Sequence, residues 1–193
     1  MNISRVLVGD AQALSALASR SFMAAFAADN SVADMQQYVN SAFSLQATSR
    51  ELHDPLSTFL WATPRVGECL GQGEGKSVGD ASDTVSVDPV GYVKVRRGGE
   101  VPECVSGARC VELQRLYVAP EQVGSGIGHK LMRAAMETTH REGFQTMWLG
   151  VWENNTHAIR FYQRHGFVTV GSHQFLLGKD LQTDLVMQLT TVS

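Results

Sequence analysis

Apolar residues near the amino terminus repeat every three to four positions, with Leu14, Leu17, Phe22 and Phe26 following Asp10. Asp is a residue that caps helices, so this spacing predicts a helix from Ala11 to about Ala28, preceded by a short strand over Ile3 to Val8. Met35, Tyr38, Val39 and Ala42 repeat the spacing and predict a second helix over Ala33 to Ser44; a third, short one at Ser49 to His53 is stopped by Pro55. Ser57 to Thr63 (STFLWAT) and Gly91 to Arg97 (GYVKVRR) are rich in β-branched and aromatic residues and read as strands.

From Val111 onward the pattern becomes strand, glycine loop, helix, strand, helix, strand. Val111 to Val118 is the strand and Gly124 to Gly128 the loop. Ile127 to Glu142 is the helix, with Ile127, Leu131, Ala134, Ala135 and Thr138 on one face and Gly143 as its C-cap. Thr146 to Val151 gives the next strand and Asn155 to His165 a short helix closed by Gly166. The rest, Phe167 to Leu189, reads as a strand pair turning near Gly178 to Asp180. Gly67 to Asp88 has no usable periodicity, which predicts a flexible surface insertion at about residues 67–89 joining two strands. The order of elements argues a single α/β domain over residues 1–193 with a mixed sheet.

Composition narrows the function. The chain of 193 residues is 44% hydrophobic and 18% charged, an ordinary globular mixture, and its formal net charge of -3 offers no basic footprint for nucleic acid. A small or cationic partner suits this balance better. The first residues lack the apolar run of a signal peptide, and no stretch approaches the roughly 18 apolar residues of a spanning helix, so no membrane association and a cytoplasmic location are expected. Cys69, Cys104 and Cys110 are odd in number and lack the paired spacing of a zinc site. They read as reduced thiols in loops, with a Cys104 to Cys110 disulfide left open. His129, His140, His157, His165 and His173 do not form an H-E-x-x-H pattern, and no metal is expected.

The segment VAPEQVGSGIGHKLM places glycines at alternate positions between a strand and a helix. Backbone N–H groups converge there and the helix dipole adds positive charge, so the loop suits a phosphate; a simple tight turn is the alternative. Neither a dinucleotide fingerprint nor a Walker loop fits. Counting from Gly124 or Gly126 puts the third fingerprint glycine on His129 or Met132, and Lys130 follows His129 rather than glycine.

The phrase LQRLYVAPEQVGSGIGHKLM, followed by a strand and ENNTHAIRFYQRHGF, resembles the cofactor-binding half of GNAT acetyltransferases, whose motif reads roughly L-Y-V-x-P, Q/R-G-x-G-I-G and N-x-x-A-I-x-x-Y-x-x-x-G-F. The likeness covers about Val111 to Val168. WLGVWENNTHAIRFYQRHGF with GSHQFLLGKDLQTDLVMQ, and FMAAFAADNSVADMQQYVNSAF earlier, looks like the PaiA-type spermidine/spermine acetyltransferase branch. The resemblance implies a partly splayed mixed sheet flanked by helices. It also implies acetyl-CoA as cosubstrate, a backbone loop Val123, Gly124, Ser125, Gly126, Ile127, Gly128, His129 around the diphosphate, and backbone contacts from Leu116, Tyr117 and Val118. Val123 and Ser125 stand where the motif usually carries Gln or Arg and a basic residue, so side-chain contacts to the diphosphate are in doubt there.

Within the resemblance, Asn155 holds the cofactor arm and Tyr162 is the general acid. The two lie seven residues apart, on one face of a helix. The alternative for Tyr162 is a core aromatic packed on Phe161 or Phe167. Glu112, early in the strand that carries the cofactor contacts, is the candidate base, against the alternative of a surface or salt-bridged glutamate. Glu153, Glu51 and Asp54 are candidates for holding the second ammonium of a polyamine. Three functions compete: transfer of an acetyl group to a small-molecule primary amine such as spermidine, acetylation of a protein or peptide, and a non-catalytic acyl-CoA-binding module. The acceptor's identity and the oligomeric state, a homodimer included, stay open.

Overall fold

The computed structural model describes residues 1–65, 88–177 and 180–190. Its strands are β1 (Asn2–Arg5), β2 (Ser57–Thr63), β3 (Gly91–Arg96), β4 (Cys110–Val118), β5 (Thr146–Trp152), β6 (Val168–Leu177) and β7 (Asp180–Thr190). They form one sheet in the order β1-β2-β3-β4-β5-β7-β6, antiparallel throughout except where β4 meets β5. Helices α1 (Ala11–Phe26), α2 (Val32–Ala42) and α3 (Leu45–His53) cover one face; α4 (Ile127–Arg141) and α5 (Thr156–Arg164) cover the other. The expected insertion lies almost entirely outside the described residues, as does Cys69. Among the described residues no helix is long and apolar enough to cross a membrane.

Local chemistry explains most boundaries. The first strand is shorter than its apolar run because the Asp10 carboxylate accepts from the Leu7 N–H at 2.8 Å and closes a 3-10 turn at Val8–Asp10. Asp10 therefore caps that turn and makes no side-chain cap on α1. Helix α3 begins four residues earlier than the apolar pattern indicates, because the Ser44 hydroxyl accepts from the Ala47 N–H. Helix α4 ends where expected: Gly143 takes φ +81°, its N–H bonds His140 O, and the Phe144 N–H bonds Thr139 O, the paired bonds of a Schellman ending.

Two cores lie on either side of the sheet. Ile127, Leu131, Met132 and Ala135 of α4 pack on Val93, Val95, Val111, Leu113, Leu149 and Met187. Each fully buried Leu, Ile or Met there is worth roughly 1.5 to 3 kcal/mol over leaving it exposed. On the other face Leu14, Leu17, Phe22, Met35, Val39 and Phe43 pack on Phe59 and Tyr92. Cys104 and Cys110 are free thiols. Cys110 opens β4 rather than lying in a loop, and the Cys104 sulfur fills the space beside Gly171.

Candidate active site

Strands β4 and β5 run together for three residue pairs, Cys110 with Thr146, Val111 with Met147 and Glu112 with Trp148, and then part. The other edge of β4 stays bonded to β3 as far as Val118 opposite Gly91. The parting coincides with a bulge, because Leu113 pairs with Val95 and Arg115 with Lys94, which leaves Gln114 as an extra residue. A bulge bends its strand and reverses which residues face which side. Val111 and Leu113 point into the α4 core before it, Leu116 and Val118 after it, and Tyr117 turns to the α1 side. The β5-facing edge of residues 113–118 is thereby left without a strand partner.

The fork opens into a cleft of about 340 Å³. One wall is β4 from Glu112 to Tyr117, and the opposite wall is Trp148, Gly150 and Trp152 with Asn155 and Tyr162 beyond them. Aromatic rings of α1 and α2 and the side chains of His173, Phe175 and Asp184 complete its lining. The cleft thus brings together Glu112, Leu116, Tyr117, Asn155 and Tyr162. Val118 and residues 123–129 are outside its lining, beyond the end of β4, although Gly128 faces both Phe161 and Val118 at van der Waals distance.

At that end, α4 begins at Ile127 behind Gly126, whose φ of +82° is a conformation glycine adopts without strain. The Lys130 N–H is the first to bond inside the helix, to Gly126 O. Ile127, Gly128 and His129 therefore present amides with no intrahelical acceptor, at the positive end of the helix dipole. Val123 and Ser125 differ: their N–H groups are donated to Pro120 O and Gln122 O. A Cβ at Gly124 or Gly126 would meet no atom within 4 Å, so the space in front of the loop is open. The His129 ring is tied to His165, Nδ1 to Nε2 at 2.8 Å.

Asn155 caps α5, its Oδ1 accepting from the Ala158 N–H at 3.0 Å, which leaves its Nδ2 to meet a molecule in the cleft. Tyr162 packs edge-on against Phe161 and Phe167, so the ring is a core aromatic and a cleft residue at once. Burial pushes its phenol up to about 12, and the hydroxyl stays protonated at any working pH. Glu112 is half-buried and receives a hydrogen bond from Gln114 Nε2 at 3.3 Å. Burial raises its carboxyl above the ordinary range, opposed by Arg96, Lys94, Arg115 and His173.

Glu51 does not face the cleft as an unpaired carboxylate. Lys94 and Arg115 are cross-strand partners, and like charges directly opposite repel. Glu51 bridges them, taking Lys94 at 2.7 Å and Arg115 bidentately at 2.6 and 3.1 Å. Asp54 is committed to the Leu56 N–H and Ser57 hydroxyl, and Glu153 is exposed outside the lining. None of the three is placed to hold an acceptor's second ammonium in this cleft. Sequence reasoning missed Gln114, Gly150, His173 and Asp184, all of which line it.

A family model described as the acetyltransferase (GNAT) family matches residues 34–167. The chain belongs to the GNAT family. An uncharacterized N-acetyltransferase in the pepI 3′ region of Lactobacillus delbrueckii subsp. lactis is 28% identical over 177 residues, 92% of this chain and 90% of the relative. The spermine/spermidine N(1)-acetyltransferase of Bacillus subtilis (strain 168) is 35% identical over 66 residues, 34% of this chain and 43% of that enzyme. The crystal structure of PaiA N-acetyltransferase from Thermoplasma acidophilum in complex with coenzyme A superposes with a TM-score of 0.70 at 18% identity, over 99% of this chain and 100% of that one. The open fork, the glycine turn into α4, and the asparagine that caps α5 with the tyrosine inside it are the parts through which this GNAT chain realises the fold.

Proposed function

We propose that the protein is an acetyl-CoA-dependent N-acetyltransferase whose acceptor is a small primary amine, with polyamines such as spermidine the first class to try. One observation carries the reading: the unpartnered edge of β4, Asn155 and Tyr162 all open onto one cleft, and the α4 amides lie beyond the end of β4. These residues fit the cosubstrate. An open strand edge accepts an extended amide-bearing arm as an added strand, and helix N-terminal amides accept a diphosphate. The PaiA-type likeness supports the polyamine class, and so does the carboxylate pair Glu112 and Asp184 in an aromatic-lined cleft.

Bound acetyl-CoA supplies an acyl group on a thiol leaving group. The chain's own work is then threefold. Gly126, Ile127, Gly128 and His129 hold the diphosphate through their backbone, while Leu116, Tyr117, Val118 and Asn155 hold the arm. Glu112, oriented by Gln114, takes a proton from the attacking nitrogen. Tyr162 donates its phenolic proton to the departing sulfur, a role its buried, protonated hydroxyl suits.

A panel assay tests this. The protein is incubated with acetyl-CoA and, separately, spermidine, simple amines, amino acids and peptides, while free thiol is followed. Thiol release with small amines is expected. Release only with peptides would favour the protein acetyltransferase, and tight binding without release would favour the non-catalytic module.

A further inference from the structure

The cleft holds a second proton-handling group that the chemistry above does not use. Gly150 of β5 has no side chain, and His173 Nε2 and Asp184 Oδ2 lie 3.0 and 3.3 Å from where its Cβ would sit. The two residues are cross-strand partners in the β6–β7 hairpin, so they reach over β5 into the cleft together. His173 Nδ1 is 3.1 Å from Gln174 O. A carbonyl oxygen only accepts, so that contact puts the proton of the neutral ring on Nδ1 and leaves the Nε2 lone pair facing Gly150. The other titratable groups around the cleft are Tyr38 of α2, Glu112, Arg115 and Tyr117 of β4, Tyr162 of α5 and Asp184 of β7. Arg115 is held by Glu51. The tyrosines are raised by burial and stay neutral, which leaves Glu112 and Asp184 as the charges that act with His173.

A primary ammonium must lose two protons to become an amide, and Glu112 accounts for one. Resting on the acetyltransferase reading, we infer that His173 is the base that takes the first proton from the acceptor ammonium before attack, and that Asp184 positions that ammonium beside it. The balance closes. An N–H bond of the ammonium breaks and its proton goes to His173 Nε2, from which it passes to solvent. The freed nitrogen pair forms the N–C bond while the C–S pair leaves on sulfur, which takes the Tyr162 proton. Glu112 takes the second nitrogen proton and returns it to the Tyr162 oxygen. One proton leaves per turnover and one ends on the thiol.

Two measurements test the assignment. Long-range proton–nitrogen NMR on histidine-labelled protein, with His173 assigned by loss of its signals in His173→Gln, reads the tautomer without any ligand. Protonation at Nδ1 is expected in the neutral ring; protonation at Nε2 overturns the proposal. The second measurement follows kcat/KM for spermidine against pH in wild type and His173→Gln. At about pH 7 the variant falls about 100-fold, and the gap closes as pH rises toward about 11, where an amine of ordinary basicity arrives largely neutral. An equal loss at every pH, or no loss, overturns the role. Asp184→Asn is expected to raise KM for spermidine more than it lowers kcat, and the reverse split would remove its positioning role. Wild type that fails to bind coenzyme A would sink the enzyme reading itself, an outcome separate from either variant's. Wild type that binds coenzyme A but ignores spermidine would remove the polyamine class and leave the tautomer to decide.

Discussion

Replacing Tyr162 by Phe removes one oxygen and nothing else from the proposed machinery. The ring keeps its contacts with Phe161 and Phe167, at centroid distances of 5.4 and 5.8 Å, and no protein group among the described residues hydrogen-bonds the hydroxyl. Stability should therefore change by less than about 0.5 kcal/mol, in the range of neutral substitutions. If the phenol protonates the leaving thiolate, turnover should fall by about 10- to 1000-fold, or about 1.4 to 4 kcal/mol in the barrier. Because burial pushes the phenol up to about 12, that loss should be nearly constant between pH 7 and pH 10. Thiol release at saturating acetyl-CoA gives kcat, and calorimetry gives the coenzyme A Kd, which should stay within about threefold of wild type. Unchanged kcat, or a loss accompanied by a lowered melting temperature, would refute the acid role.

Glu51→Gln leaves Lys94, whose side chain is 3% exposed, and Arg115 facing each other without a counter-charge. Breaking such a buried arrangement costs about 3 kcal/mol, or about 6 to 12 °C in melting temperature for a chain of this size. Burial pushes the Glu51 carboxyl up, but Arg115 and Lys94 outweigh it and hold it below its ordinary value. That stabilisation is full above the ordinary glutamate range and is lost as pH falls through the folded value. Wild type should therefore lose its advantage over Glu51→Gln in acid melts, and a difference independent of pH would contradict the pairing. Gly126→Val adds a Cβ at φ +82°, which strains the turn by roughly 1 to 2 kcal/mol and crowds the open space before the α4 amides. The coenzyme A Kd should rise at least tenfold by calorimetry, and an unaltered value would remove the loop from the binding site. Gly150→Ala needs His173 and Asp184 to shift by a few tenths of an ångström. Acceptor KM should rise while coenzyme A affinity holds, and a change in affinity alone would place the pair elsewhere in the mechanism.

Where local chemistry decides structure, the residues announced it. Alternating glycines ahead of an amphipathic run were enough to locate the start of α4, and the Asn155 to Tyr162 spacing placed both on one cleft even though Asn155 turned out to cap α5 rather than lie within it. The bulge in β4 is legible in the sequence: apolar residues at 111, 113, 116 and 118 break a strict alternation by one step at Gln114. His173 and Asp184 are eleven positions apart and meet only through hairpin register, four pairs back from Leu177 opposite Asp180. A turn position correct to one residue would have paired them. Glu51 was misplaced for a different reason. Its partners Lys94 and Arg115 come together across β3 and β4, and nothing near Glu51 in the chain signals that two cations await it.

The most direct test of the central claim, that the amides opening α4 hold the diphosphate of an acyl carrier lying along β4, is calorimetric titration of the folded protein with coenzyme A and, separately, with pantetheine, which lacks the diphosphate. Saturable one-site binding of coenzyme A, with pantetheine weaker by at least about tenfold, is the predicted result. Equal affinity for the two would contradict the diphosphate site, and no saturable heat with coenzyme A would contradict the whole account.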